Sequence, residues 1–170
     1  MIKIELLPFT PKWIESFKQE KRVLQALIGK VVAIEHIGST AIPDLMSKPT
    51  IDILIGVNEF NDCSFFISEI TSLGYHYIPE YEVHLPNRKY FEKIQDSHHI
   101  AHIHLVKKDQ EFWKKHIFFR NILQTNQKLR HEYSQLKQAL AHMEWKNRNN
   151  YASAKTAFIK KVEDEYYPST

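Results

Sequence analysis

The strongest constraint on the fold lies between positions 31 and 55. Two apolar, β-branched runs are separated there by His36-Ile37-Gly38-Ser39-Thr40-Ala41-Ile42-Pro43 and by Lys48-Pro49. The run Val31-Val32-Ala33-Ile34 favours a strand and breaks at Gly38-Ser39, where a residue without Cβ permits a turn that other side chains would block. Backbone N–H groups exposed in such a turn can hold a phosphate. The second run, Ile51-Asp52-Ile53-Leu54-Ile55, is too apolar to carry a charge without a partner, and a metal ion is one candidate partner for Asp52. The segment reads as strand, phosphate-sized turn, short helix and second strand carrying an acid.

Patterning on either side fills in the rest. Thr10 N-caps a helix opened by Pro11, with Trp13, Phe17, Leu24, Leu27 and Ile28 at helical spacing up to Gly29. Strands are expected at 31–37, 50–57, 75–79, 88–95 and 100–106, with a helix over 60–73 that ends at Gly74. From Asp109 the period becomes helical, through Trp113, Ile117 and Leu123, then Leu129, Tyr133, Leu136 and Leu140, then Tyr151, Lys155, Phe158, Ile159 and Val162. Three helices are expected there. With no Gly/Ser linker, repeat or low-complexity tract, the expectation is one α+β domain over 1–170, a mixed sheet packed with helices and a helical C-terminal part.

Composition bounds the partners. A chain of 170 residues, 43% hydrophobic and 12% aromatic, can bury a sizeable core. Its 23 basic and 20 acidic residues leave +3, which favours anionic ligands weakly and does not indicate nucleic acid. One cysteine, Cys63, excludes an internal disulfide and reads as a small helical residue. No secretory pattern opens the chain and no apolar run approaches the roughly 20 residues of a membrane span, so a cytoplasmic protein is expected, its oligomeric state open.

Several side chains suit phosphate chemistry. Lys48, a compact point charge at the entry to the Asp52 strand, reaches phosphate over Gly38-Ser39 or is merely solvated. Arg88 offers planar donors matched to phosphate. Tyr133 with Lys137 and Tyr151 with Lys155 are i,i+4 pairs; each faces a cleft, or places a tyrosine at the core edge and a lysine in water. By the period of two, His98, Ile100, His102 and His104 share one strand face and His99, Ala101 and Ile103 the other. His102 and His104 either chelate a metal with Asp52 as third ligand or line a polar cleft without one. His98 and His99 read as strand end or turn. A Ser39 nucleophile is disfavoured, since the elbow pattern Gly-x-Ser-x-Gly is broken by Ala41. The Walker loop and the dinucleotide fingerprint are absent.

Taken together, the octapeptide His36 to Pro43, Lys48-Pro49, Ile51-Asp52-Ile53, Leu73-Gly74-Tyr75, Arg88 with Phe91, His102-Ile103-His104-Leu105 and the two late Tyr/Lys pairs resemble the GrpB-like family across nearly the whole chain. That family is related by fold to nucleotidyltransferases and is mostly uncharacterised. The resemblance implies a nucleotidyltransferase-like sheet, a nucleotide or phosphorylated small molecule as partner, and a divalent metal (Mg²⁺ or Mn²⁺, with Zn²⁺ as another choice). Gly38, Ser39 and Thr40 then hold phosphate, Asp52 is the first metal carboxylate, and Lys48, Arg88, Tyr133, Lys137, Tyr151 and Lys155 face the ligand. Two departures stand out: position 54, where the superfamily pattern asks for a second acid, is Leu, and Asp44 stands where the family more often has Gly. Two carboxylates on one face are wanted to hold two ions about 3.5–4 Å apart. Replacement ligands are sought at Glu35, His36, Glu80, Glu82 or the histidines near 102. Three functions remain: metal-assisted nucleotidyl transfer, a non-catalytic nucleotide-binding or accessory module, and a metal-dependent phosphohydrolase.

Overall fold

A computed structural model describes residues 1–28, 33–61 and 63–168, leaving aside the side chains at 27 and 28. The expected helix stop at Gly29, the strand start at Val31-Val32 and the packing of Leu27 and Ile28 lie outside the described residues. Helix α1 (Pro11–Ile28) is followed by β1 (Ala33–Ile37), β2 (Ile51–Val57), α2 (Ser64–Ser72), β3 (His76–Tyr77), β4 (Arg88–Gln95) and β5 (His98–Lys107). Helices α3 (Glu111–Thr125), α4 (Gln127–Ala141), α5 (Arg148–Ser153) and α6 (Thr156–Tyr166) complete the described chain. The strands form one mixed sheet in the order β1-β2-β5-β4-β3, in which only the β2 and β5 pair is parallel.

The period of two divides the sheet into an apolar face and a chemical one. Ile51, Ile53, Ile55, Phe91, Ala101, Ile103 and Leu105 pack with Trp13, Phe17 and Leu24 of α1 and Ile70 of α2 in the main core. The alternate residues of β2, β4 and β5, among them Asp52, Arg88, Tyr90, Glu92, His102 and His104, line a cleft on the opposite face. Helix α3 closes only one end of that face. Its Trp113 packs with Ile37, Leu54 and Val106, and a Cβ at Gly56 would stand 2.7 Å from the Trp113 ring. A second cluster, Ile42, Leu45, Leu123, Leu129, Tyr133 and Val162, joins the segment after the turn to α3, α4 and α6. The helical part is thereby bolted to the loop that carries Ser39.

Three expected elements differ. The strand at 75–79 shrinks to His76–Tyr77, because Pro79 has no N–H for the ladder and opens a 3-10 turn over Pro79–Val83. The last expected helix is two helices: Ser153 ends α5, Lys155 N-caps α6, and Tyr151 and Lys155 therefore do not share one helix. On β5 the register slips between Lys93 and Ile94, pairing Lys93 with Ala101 and Ile94 with His99, so that Ile100 is an unpaired bulge residue. A bulge reverses the alternation beyond it. His99 is thereby placed on the face of His102 and His104, contrary to the strict period of two.

Candidate functional site

The site begins at the end of β1. Gly38 has φ +71°, a conformation that favours glycine, and the 3-10 turn over Ser39–Ala41 follows it. Two backbone bonds close the turn, Ala41 N to Gly38 O at 3.2 Å and Ile42 N to Ser39 O at 3.1 Å. Helix α3 clamps it: Arg120 donates to the His36 carbonyl at 2.9 Å and to Glu35 at 2.7 Å, and Gln124 donates to the Ala41 carbonyl at 2.9 Å. Thr40 is buried, with Oγ1 3.0 Å from Nε2 of His36, whose ring stacks on Phe17 of α1. Burial pushes His36 down to about 4. Glu35 and His36 thus serve the frame of the turn, while Glu82 pairs with Lys89 at 2.5 Å and with Tyr77.

Asp52 is the anionic centre of the cleft. Register pairs it with His102 across the parallel β2 and β5 ladder. Its Oδ1 accepts from Nδ1 of His102 at 3.2 Å and lies 3.9 Å from Nε2 of His104. Burial alone would raise the Asp52 carboxyl, but the two imidazoles outweigh it and hold the group well below the usual carboxylate range. His104 is pushed down by burial, and its Nδ1 lies 3.4 Å from the Arg88 guanidinium. That guanidinium stands over the Tyr90 ring at 5.1 Å and the Phe112 ring at 5.9 Å, with its Nε buried and unpartnered.

Facing Asp52 across the cleft are amines from the helical part. Lys137 on α4 is buried, donates to the Met46 carbonyl and lies 5.6 Å from the Tyr133 ring. Burial, reinforced by Lys155 and Lys48, pushes its amine down to about 6. Lys155 sits 4.6 Å over the Tyr151 ring and is pushed down to about 8, by burial and then by Lys48. Lys48, also lowered by burial, approaches the same ring at 5.6 Å. The Tyr151 hydroxyl is buried without a partner and is pushed up to about 12, whereas that of Tyr133 engages Ser39. Three lysines crowded together and facing only the Asp52 carboxylate among the acids that act on them are electrostatically unsatisfied, and a multiply charged anion would satisfy them.

The cleft measures about 710 Å³ and gathers nearly every residue the sequence pointed to: Ser39, Thr40, Lys48, Asp52, Arg88, His102, His104, Lys137, Tyr151 and Lys155. Volumes of this order suit a small-molecule ligand. Gly38 lies at its rim against Asp52, and Tyr133 stands behind Ser39. Position 54, where a second acid was sought, is fully buried beneath Trp113. Asp44 adopts the left-handed conformation, φ 63°, which glycine takes without strain and which aspartate tolerates better than most residues. Sequence reading missed Glu92, Tyr90, Asn147 and Arg148, all of which line the cleft, and set His99 aside. The alternation in Arg88-Lys89-Tyr90-Phe91-Glu92, with Phe91 in the core, carried a signal for Tyr90 and Glu92.

Comparison with known proteins places the family and the fold. The family described as GrpB protein matches residues 3–165. The chain is 33% identical over 163 residues to the UPF0157 protein YqkA of Bacillus subtilis, covering 95% of this chain and 47% of YqkA, about half the length of that relative. The crystal structure of conserved protein GrpB from Enterococcus faecalis superimposes with a TM-score of 0.84 at 32% identity, covering 95% of this chain and 96% of that one. The Cid1 poly(U) polymerase, in its Mg 3′-dATP-bound structure, superimposes with a TM-score of 0.53 at 12% identity over 82% of this chain and 43% of that one. The sheet and its flanking helices are nucleotidyltransferase-like in fold. No helix among the described residues is long and apolar enough to cross a membrane.

Proposed function

The chain belongs to the GrpB family, and on that footing we propose that it binds a nucleotide or another phosphorylated small molecule in the cleft, with metal-assisted nucleotidyl transfer as its chemistry. The observation that carries the reading is the convergence of Lys48, Arg88, Lys137 and Lys155 on a cleft that also holds the Ser39 hydroxyl and two carboxylates, Asp52 and Glu92, of which Asp52 is the one coupled to Lys48, Lys137 and Lys155. A triphosphate chain answers that charge pattern, since each buried amine needs an anionic partner to be protonated without penalty. Ser39 and Lys48 at the turn hold one end of the chain. Lys137 and Lys155 offset the charge on the diphosphate that leaves as the acceptor hydroxyl forms its new bond to phosphorus and releases its proton to solvent.

The donor set fits one divalent ion rather than two. Asp52 offers a carboxylate whose side chain is 30% exposed, whereas Leu54 and Trp113 leave no place for its usual companion. Mg²⁺ or Mn²⁺ at Asp52 would supply charge neutralisation for the reacting phosphate. His102 and His104 hold the carboxylate ionised and aimed at the cleft. The apolar filling at 54 also favours a second reading, an accessory module that binds the nucleotide and does not turn it over.

Calorimetric titration of nucleoside triphosphates with Mg²⁺ or Mn²⁺ into the protein and its Asp52→Asn variant separates these readings. Binding that requires both metal and Asp52 supports transfer. Binding that ignores both supports the accessory module, and no binding to any triphosphate overturns the nucleotide reading.

A further inference from the structure

We propose that Glu92, His99 and His102, in the wall of the phosphate cleft, form a site for one transition-metal ion of the zinc type, distinct from the carboxylate chemistry of Asp52. One ligand atom from each of the three lies within 4.8 Å of the others, the one such trio among the described residues. The trio is built by the fold. Glu92 and His102 are direct cross-strand partners on β4 and β5, and the bulge at Ile100 turns His99 onto their face.

The local geometry is that of donors sharing an ion. His99 Nδ1 lies 3.1 Å from Oε2 of Glu92, yet Nδ1 is buried without a hydrogen-bond partner. With metal bonds of about 2.1 Å, neighbouring donors on a four- to six-coordinate ion stand about 3.0–3.4 Å apart. His102 is already oriented: its Nδ1 meets Asp52 at 3.2 Å, and donation from Nδ1 to that carboxylate leaves the Nε2 lone pair available to ligate. A carboxylate behind a ligating imidazole is the usual outer support of such a site. Two imidazoles and one carboxylate select Zn²⁺, Co²⁺ or Fe²⁺ over Mg²⁺, and three protein ligands leave a position open for water or a ligand oxygen.

One contact opposes the ion and sharpens the test. Arg148, an exposed side chain at the start of α5, donates to His99 Nε2 at 2.5 Å. That bond places the imidazole hydrogen on Nδ1. An ion on Nδ1 sends the hydrogen to Nε2, where it meets the guanidinium donor, so ion uptake and the Arg148 contact exclude one another.

The test is titration of chelator-stripped full-length protein with Zn²⁺, and with Co²⁺ for its visible absorption. Expected are one ion per chain, affinity lowered tenfold or more in His99→Ala and in the nearly isosteric Glu92→Gln, no change in His131→Ala on the surface, and tighter binding in Arg148→Ala. Uptake below a tenth of an equivalent, or a His99→Ala protein that binds as the parent does, overturns the proposal; circular dichroism confirms that each variant is folded. Titrating the stripped protein with ATP and Mg²⁺ separates this inference from the reading of the cleft. Triphosphate binding without Zn²⁺ uptake overturns the metal site alone, and Zn²⁺ uptake by a chain that ignores triphosphates supports it.

Discussion

The carboxylate of Asp52 packs against the backbone of Gly38, so closely that a Cβ at position 38 would overlap Oδ2 of Asp52. Gly38 is also held at φ +71°. The turn and the acid, separated in sequence, are one mechanical unit. Gly38→Ala combines left-handed strain with a clash against a side chain that His102 and His104 hold in place. It is expected to lower stability by about 1–3 kcal/mol and to displace Asp52. Urea denaturation reads the first effect and Mg²⁺-dependent triphosphate binding the second; a variant equal to the parent in both would refute the packing argument.

Restoring the absent acid should fail. Leu54 is fully buried with Ile37, Val106 and Trp113. An unpaired carboxylate there is expected to cost about 3–5 kcal/mol in Leu54→Asp, without any gain in metal affinity. Thermal unfolding of the variant checks this, and a stable protein with a second Mg²⁺ site would contradict it.

Lys137 makes stability rise with pH. Its folded value, about 6, lies below the ordinary lysine value of 10.5, so between these limits the unfolded chain binds the extra proton. The stability penalty is greatest below pH 6 and is relieved as pH climbs toward 10. Lys137→Met, of similar length and without charge, is expected to be more stable than the parent at pH 7 by about 1–3 kcal/mol and to lose the slope. The groups that face Lys137 include Lys48, Lys155, Asp52 and Tyr133.

The same lysine links binding to protons. An anion that seats against Lys137 and Lys155 raises both, so its affinity falls as pH rises from about 6 past 8. Calorimetry of triphosphate binding at pH 7 in buffers of different ionisation enthalpy should register proton uptake, and Lys137→Met should abolish most of it. Zero uptake by the parent protein would place the anion elsewhere.

Acid should loosen the frame. His36 and His116 are both held down to about 4 by burial, below the ordinary 6.5, so the unfolded chain gains protons first as pH falls. The contribution of these two groups is complete above pH 6.5 and is lost between 6.5 and 4, by on the order of 3 kcal/mol for each group. His116→Phe, which keeps a ring beside Phe112, should remove about half of that acid limb in denaturation curves recorded from pH 7 to 4.

Much of this was legible in the chain because it is local. The strands β1, β2, β4 and β5 follow from runs of alternating or continuous apolar residues, and Asp52 is conspicuous in the sequence as a charge within such a run. Local rules also explain why Gly38 ends a strand and why Pro79 cuts β3 short. The one-residue slip at Ile100 was not legible. It arises from pairing with β4, and no property of His98-His99-Ile100 alone announces it.

The sequence by itself determined the residue types: a flexible turn, one acid in an apolar strand, paired histidines and a supply of lysines. Tertiary structure decided which of them meet. Register between β2 and β5 set His102 against Asp52, the bulge recruited His99 to Glu92, Trp113 denied position 54 to a carboxylate, and α4 with α5 and α6 carried Lys137 and Lys155 over the sheet. The reason is that chemistry depends on distances of a few ångströms between residues far apart in sequence. Those distances are set by strand pairing and core packing, which involve the whole chain at once.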